Sequence, residues 1–282
     1  MSDRLLSFLP GGWFWIAATV ILFGGGCDEP GASSMTGRLV VTGSSTVAPL
    51  AVEIARRFEA RHPGVKVDVQ TGGSSRGIAD TRRGLADIGM VSRDLKPGER
   101  DLIAYPLARD GIAVIVHADN PVTALSHDQI VAVYRGEIDN WRQVGGPDRP
   151  ITVVNKAHGR STLELFVAYF GLDEGAIAAD VVIGDNEQGI KTVAGNPGAI
   201  GYVSIGTAEF DIAHGVSIKM LPLEGIAADS AAVAGGRYPL SRTLNLVTRR
   251  EPGALAREFI AFSRSKAVQD LVHQQSFVSL VE

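Results

Sequence analysis

The run "LVVTGSSTVAPLAVEIARRF", residues 39 to 58, joins a β-branched strand to an amphipathic helix through Gly43-Ser44-Ser45-Thr46 alone. A strand that turns into a helix so abruptly is the first half of a crossover to a parallel neighbour, which excludes an all-β or all-helical fold. The device recurs. "VKVDVQT" leads through Gly72-Gly73-Ser74-Ser75-Arg76-Gly77 into a short helix, and "ITVVNK" through Gly159-Arg160-Ser161-Thr162 into "STLELFVAYFG". "DIGMVS" and "GAIGYVSI" read as further strands. The pattern predicts an α/β chain whose sheets are mostly parallel and flanked by helices. In such sheets ligands lie beyond the C-terminal ends of strands, where these turns gather.

Periodicity supports the helices. Leu50, Ile54 and Phe58 recur every four residues up to a stop at Pro63-Gly64. Ser126 with Gln129, and Ser161 with Glu164, have the spacing of capping boxes, and the first of these helices is expected to end near Gly136. The segment from Pro252 to Gln275 reads as helical throughout. A long apolar strand over 111–122 ends in a Pro-containing turn and suits a crossing into a second lobe, with a return around 235–249. The expected division is lobe I over 38–116 and 238–282, and lobe II over 117–237.

Residues 1–26 read as a signal peptide, with Arg4 before the apolar run "WFWIAATVILF", which is short for a bilayer span. Cys27, the only cysteine, cannot form an internal disulfide. Its place after the apolar run resembles a bacterial lipoprotein processing site, although Gly24 stands where such sites usually carry Leu. Lipidation at Cys27 is expected, with 27–37 as a flexible tether. An ordinary signal peptide or an uncleaved anchor is the alternative.

Each turn offers the same chemistry. Glycine admits close backbone approach, hydroxyls donate, and the first helical N–H groups are unpaired donors at the positive end of the dipole. Together they form an anion site, with Arg76, Arg93 and Arg160 able to supply charge. Ser and Thr are also ordinary helix caps, and it is the repetition of the turn that favours an anion site. "GSSRG" at 73–77 fits the nucleophile elbow G-x-S-x-G, with Ser75 as nucleophile. However, only one strand precedes "VKVDVQT" in the mature chain, whereas that fold places an oxyanion-hole loop on an earlier strand, and His273 lies in a helical pattern. The six histidines show no metal-ligand spacing, and no Walker loop G-x-x-x-x-G-K-[ST] is present. With a net charge of −4 and dispersed Lys and Arg, the chain is not expected to bind nucleic acid.

Six blocks, in order, carry a resemblance that covers about residues 38 to 280. They are "GSSTVAPLA", "GGSSRGIAD" continuing to "ADIGMVSRDLK", "QIVAVYRGEIDNW", "HGRSTLELF", "GAIGYVSIG" and "YPLSRTLNLVT". The chain resembles the phosphate-binding proteins of bacterial phosphate ABC transporters. That implies a two-lobed periplasmic binding-protein fold of type II, with two crossovers between lobes. It further implies a lipid-anchored, envelope-located monomer without catalysis or cofactor, delivering inorganic phosphate to an inner-membrane permease. The implied phosphate ligands are Ser44, Ser45, Thr46, Ser74, Ser75, Ser161 and Thr162. Ser45, Thr46, Ser75 and Thr162 would donate hydroxyl bonds, Arg160 would be the main charge partner, and Ser92 and Arg93 would line the far side. Many family members place an Asp where this chain has Ser92, and an Arg where it has Lys156. Phosphate-over-sulfate selectivity is therefore left open, and another oxyanion (sulfate or molybdate) or a sensory role remains an alternative, with a serine hydrolase more remote.

Overall fold

The computed structural model describes residues 35–280. Its first strand, β1 (Thr36–Gly43), gives way after one turn to α1 (Ala48–Arg61). Leu50, Ile54 and Phe58 form the buried stripe of α1, and Pro49 sits in its first turn, where a missing N–H costs nothing. β2 (Gly64–Thr71), α2 (Ser74–Arg83) and β3 (Ile88–Val91) complete two crossovers. β2 and β3 both pair with β1 in parallel.

β4 (Leu102–His117) is the longest strand, and it starts nine residues before the apolar run that announced it. Pro106 hides that start in the sequence. The strand absorbs it at a register shift between Pro106 and Ala108, where the missing N–H leaves no gap in the ladder. After α3 (His127–Tyr134), whose Ser126–Gln129 capping box forms as expected, come β5 (Thr152–Lys156) and α4 (Ser161–Phe170). β6 (Val181–Ile183), α5 (Asn186–Ala194), β7 (Ala199–Ser204), α6 (Ile205–Ala213), β8 (Ile218–Leu221) and α7 (Ser230–Ala234) follow. Only β7 of these stood out in the sequence. β9 (Ser241–Arg249) leads to α8 (Ala254–Ser263), α9 (Gln269–Gln274) and β10 (Val278–Ser279). The helix expected from Pro252 to Gln275 is thus broken: α8 ends at Ser263, and Ser265 accepts the Ala267 N–H as the cap of a new turn.

The strands form one mixed sheet in the order β2-β1-β3-β9-β4-β7-β5-β6, with β8 and β10 also on β4. Parallel triplets occupy its two ends: β2-β1-β3 at one and β7-β5-β6 at the other. Antiparallel β9 and β4 join them. β4 pairs with β9 over Leu102–Gly111 and then with β7 from Ile112 onward. The hydrophobic residues change company at the same point. One cluster runs from Leu39 to Ala108 and from Leu244 to Phe277, and another from Ile112 to Leu240.

Candidate functional site

Three of the glycine-hydroxyl turns meet between the two hydrophobic clusters. Ser44, Ser45 and Thr46 arrive from the end of β1, Gly73 and Ser74 from the end of β2, and Arg160, Ser161 and Thr162 from the end of β5. With Ser92 and Lys156 they line one small cavity of about 10 Å³, the room needed by roughly one water-sized sphere. The helices they open, α1, α2 and α4, present first-turn N–H groups that lack intrahelical acceptors. Backbone packs on backbone here. Gly43 has φ +134°, and the Ser44 N–H reaches the Met90 carbonyl at 2.8 Å, while Gly72 and Gly73 N–H groups both bond the Gly43 carbonyl at 2.9 Å.

The hydroxyls form a directed chain. Ser44 Oγ donates to Ser92 Oγ at 2.9 Å, and the Arg242 Nη1 group also points at Ser92 Oγ from 3.4 Å. An oxygen accepting from two donors turns its own proton elsewhere, so Ser92 donates to Ser161 Oγ at 2.6 Å. Ser161 meets Ser74 Oγ at 2.9 Å, and Ser74 also accepts the Ser92 N–H at 3.1 Å. Ser161 was expected to cap its helix with Glu164. Instead Arg160 holds the cap position without a side-chain bond, and the Ser161 hydroxyl faces this cluster. Tertiary partners outcompete the local box.

Arg242 organises the rest, and the sequence reading did not place it in the site. Its guanidinium donates to Asp110 Oδ2 at 2.8 and 3.0 Å, both side chains being about 1% exposed. Its remaining N–H groups reach Thr162 Oγ1 at 2.9 Å and Thr46 Oγ1 at 3.2 Å. Asn186 Nδ2 also donates to Thr46 Oγ1, at 3.2 Å. Arg is a donor only, so both threonine oxygens are fixed as acceptors and their protons stay available to a guest. The Asp110 Oδ1 atom is satisfied by the Gly206 N–H at 3.1 Å. The sequence signal is slight: Asp110 stands at the head of the apolar run of β4, and only the register across β9 and β4 sets it opposite Arg242.

Two more cations approach. Lys156 is buried, with Nζ donating to Asn186 Oδ1 at 2.8 Å. Burial first, then Arg242, lower its pKa to about 7, Asp185 opposing the shift. The Arg160 guanidinium is half-buried and has no hydrogen bond or ion pair among the described residues. None of the lining side chains is a carboxylate.

Two residues expected at the site point elsewhere. Arg93 is buried in a bidentate pair with Glu99 at 2.7 and 2.9 Å, and its Nε lies 2.9 Å from Glu164 Oε2. Ser75 donates to Glu164 Oε1 at 3.1 Å, and Lys96 Nζ sits 2.7 Å from Glu164 Oε2. Neither Arg93 nor Ser75 lines the cavity. Arg76 pairs with Asp80 on its own helix. Glu164 of α4 therefore bridges to three residues carried by β2–β3 and their turns. Burial alone would raise its pKa, but Lys96 and Arg93 outweigh it and hold the carboxyl below its ordinary value.

A folded-state pKa depressed below an unfolded value of about 4.3 contributes stability at higher pH, which is lost as pH falls through the folded value. Glu99 is lowered in the same sense, burial opposing and Arg93 prevailing. Urea midpoints should thus decline on acidification below the ordinary glutamate range. Glu164→Gln should flatten that decline, and an unchanged pH profile would remove Glu164 from the bridge.

An α/β chain with hydroxyl turns and buried cations converging on a carboxylate-free cavity belongs to the class of anion-binding proteins. Residues 30–267 match the PBP superfamily domain. Phosphate-binding protein PstS of Bacillus subtilis is 31% identical over 89% of this chain and 84% of its own length. Its counterpart in Borreliella burgdorferi is 28% identical over 85% and 89%. Among solved structures, a substrate-binding protein assigned to phosphate ABC transport in Clostridium perfringens, with phosphate bound, superposes with a TM-score of 0.80. It is 31% identical and covers 87% of this chain and 100% of that one. An ABC-type phosphate transport receptor from Vibrio cholerae gives 0.67 at 31% identity, over 86% and 99%. The chain belongs to the PBP superfamily and, within it, to the family of the phosphate-binding protein PstS. The fold is the periplasmic binding-protein fold that the resemblance implied, and the family binds its ligand without transforming it.

Proposed function

We propose that the protein binds inorganic phosphate in the hydroxyl-lined cavity and delivers it to an ABC-type phosphate permease. The observation that carries this reading is the directed hydroxyl set, in which Arg242 and Asn186 occupy the threonine lone pairs and leave protons for an acceptor-rich guest. Ser44, Ser45, Thr46, Ser74, Ser92, Ser161 and Thr162 are the proposed hydroxyl ligands, with Lys156 and Arg160 supplying charge. On entry of the anion, the serine–serine bonds exchange for serine–phosphate bonds. Ser75 and Arg93 act one layer out, through Glu164.

The two hydrophobic clusters serve as the cores of two lobes that close on the ligand, which suits ligand sets drawn from both. Ser44, Thr46, Ser74 and Ser92 come from one side, and Lys156, Ser161 and Thr162 from the other. Cys27, outside the described residues, is proposed as a lipid-bearing N-terminus that holds a monomer at the membrane in the cell envelope. Mass spectrometry of the mature N-terminus tests this, and an unmodified Cys27 would overturn it.

Calorimetry with phosphate on the purified mature protein tests the main reading, and no heat at millimolar phosphate would contradict it. Arg160→Ala should weaken binding by about 1.5–3 kcal/mol, the range for a charge-assisted hydrogen bond. Unchanged affinity would take Arg160 out of the site. The carboxylate-free lining favours one second reading, a different tetrahedral oxyanion such as sulfate or molybdate, which competition against phosphate separates.

A further inference from the structure

The phosphate reading leaves a charge question, and this inference rests on that reading. Lys156 lines the cavity and is about 3% exposed. Its Nζ has a single polar partner, the neutral Asn186 carbonyl oxygen at 2.8 Å, and it forms no ion pair among the described residues. The groups around it come from four elements. Arg242 on β9 faces it from the centre of the hydroxyl cluster, with Asp110 of β4 behind, already committed to Arg242. Arg160 precedes α4 and adds positive charge, while Asp185 precedes α5 and opposes it without contact. Tyr202 of β7 only offers its hydroxyl to the Lys156 backbone N–H at 3.4 Å. A buried ammonium among guanidiniums, without a contacting counter-ion, is disfavoured by desolvation and by like charge at once. A dianion placed within reach reverses both effects.

We propose that Lys156 is the site's proton-linked residue, neutral before the anion enters and protonated once phosphate is held, so that binding above neutral pH takes up a proton from solvent. The balance is simple. A neutral amine, a hydrogen phosphate dianion and one solvent proton become an ammonium beside the same dianion, with no bond made or broken on phosphorus. At lower pH, dihydrogen phosphate brings that proton with it and the net uptake disappears. The amine pKa of about 7 agrees with the geometry. Binding thereby adds to the cavity a counter-charge that the side chains lining it do not provide.

The test is calorimetric titration with inorganic phosphate at about pH 8.5, in buffers of high and low ionisation heat, where linkage makes the observed enthalpy vary with the buffer. The expected slope corresponds to close to one proton taken up per phosphate. Lys156→Arg, which cannot lose its charge, should bind with a slope near zero. In parallel, NMR of the side-chain nitrogen of Lys156 in the wild-type protein should report an amine before phosphate is added and an ammonium after. This second readout stands even if the variant does not fold. Phosphate binding with zero slope in the wild-type protein overturns the proposal and leaves the phosphate reading intact, as does an ammonium signal before phosphate is added. Absence of any phosphate heat in the wild-type protein overturns the phosphate reading and this proposal with it.

Discussion

Replacing Arg242 by methionine is expected to lower folding stability by about 3–5 kcal/mol, the range for breaking one side of a buried ion pair, and to abolish phosphate binding. The stability loss comes from Asp110, which would keep a buried charge with only the Gly206 N–H to satisfy it. The binding loss has a separate cause. Without the guanidinium, Thr162 loses the donor that fixes its oxygen as an acceptor, Thr46 keeps only Asn186, and the cavity loses a buried positive charge. The two effects can be parted. Adding Asp110→Asn removes the orphaned charge while keeping an acceptor for Gly206, so the double variant should recover most of the stability. Phosphate binding should stay lost. Urea unfolding and phosphate calorimetry on both variants read this out, and a single variant as stable as wild type would refute the assignment of the pair.

Gly43→Ala should cost about 2–6 kcal/mol, adding roughly 1–3 for a non-glycine residue forced to positive φ and roughly 1–3 for overpacking. The position is unforgiving because a Cβ there would lie 2.2 Å from the Met90 carbonyl oxygen and 3.1 Å from Gly77 Cα. Both neighbours are backbone and cannot rotate aside. Either β3 moves, taking Ser92 with it, or α2 moves, taking Ser74. The substitution therefore couples a loss of stability to a larger loss of phosphate affinity. Gly98→Ala is the control, since a Cβ there meets nothing within 4 Å. Equal thermal midpoints for the two variants would contradict the packing argument.

What the sequence disclosed about the site follows the range over which the information is stored. The glycine-hydroxyl turns are local, a few consecutive residues each, and they could be read directly as donors at helix starts. That Ser44, Ser74 and Ser161 touch one chain of hydroxyls depends on sheet order, which no local window contains. The Arg242–Asp110 pair spans 132 residues, so neither member announces the other without the β9–β4 register. Arg93 looked available because formal charge is visible in a sequence and its consumption is not. Glu99 lies six residues on and could have been suspected, but Glu164 arrives from a different turn. Ser161 with Glu164 shows the converse. Their spacing satisfies a capping box, yet Glu164 is drawn to Arg93 and Lys96 and Ser161 to Ser74 and Ser92, because those partners are charged or buried. The long β4 was under-read for a simpler reason, the proline its bulge accommodates.

A crystal structure of the mature protein grown with phosphate tests the location of the site most directly. One tetrahedral density is expected between the two lobes, within hydrogen-bond distance of Thr46 and Thr162 hydroxyls and the first N–H groups of α4, with Arg242 still bridging those threonines to Asp110. Phosphate held elsewhere on the molecule, with the serine cluster undisturbed, would contradict it.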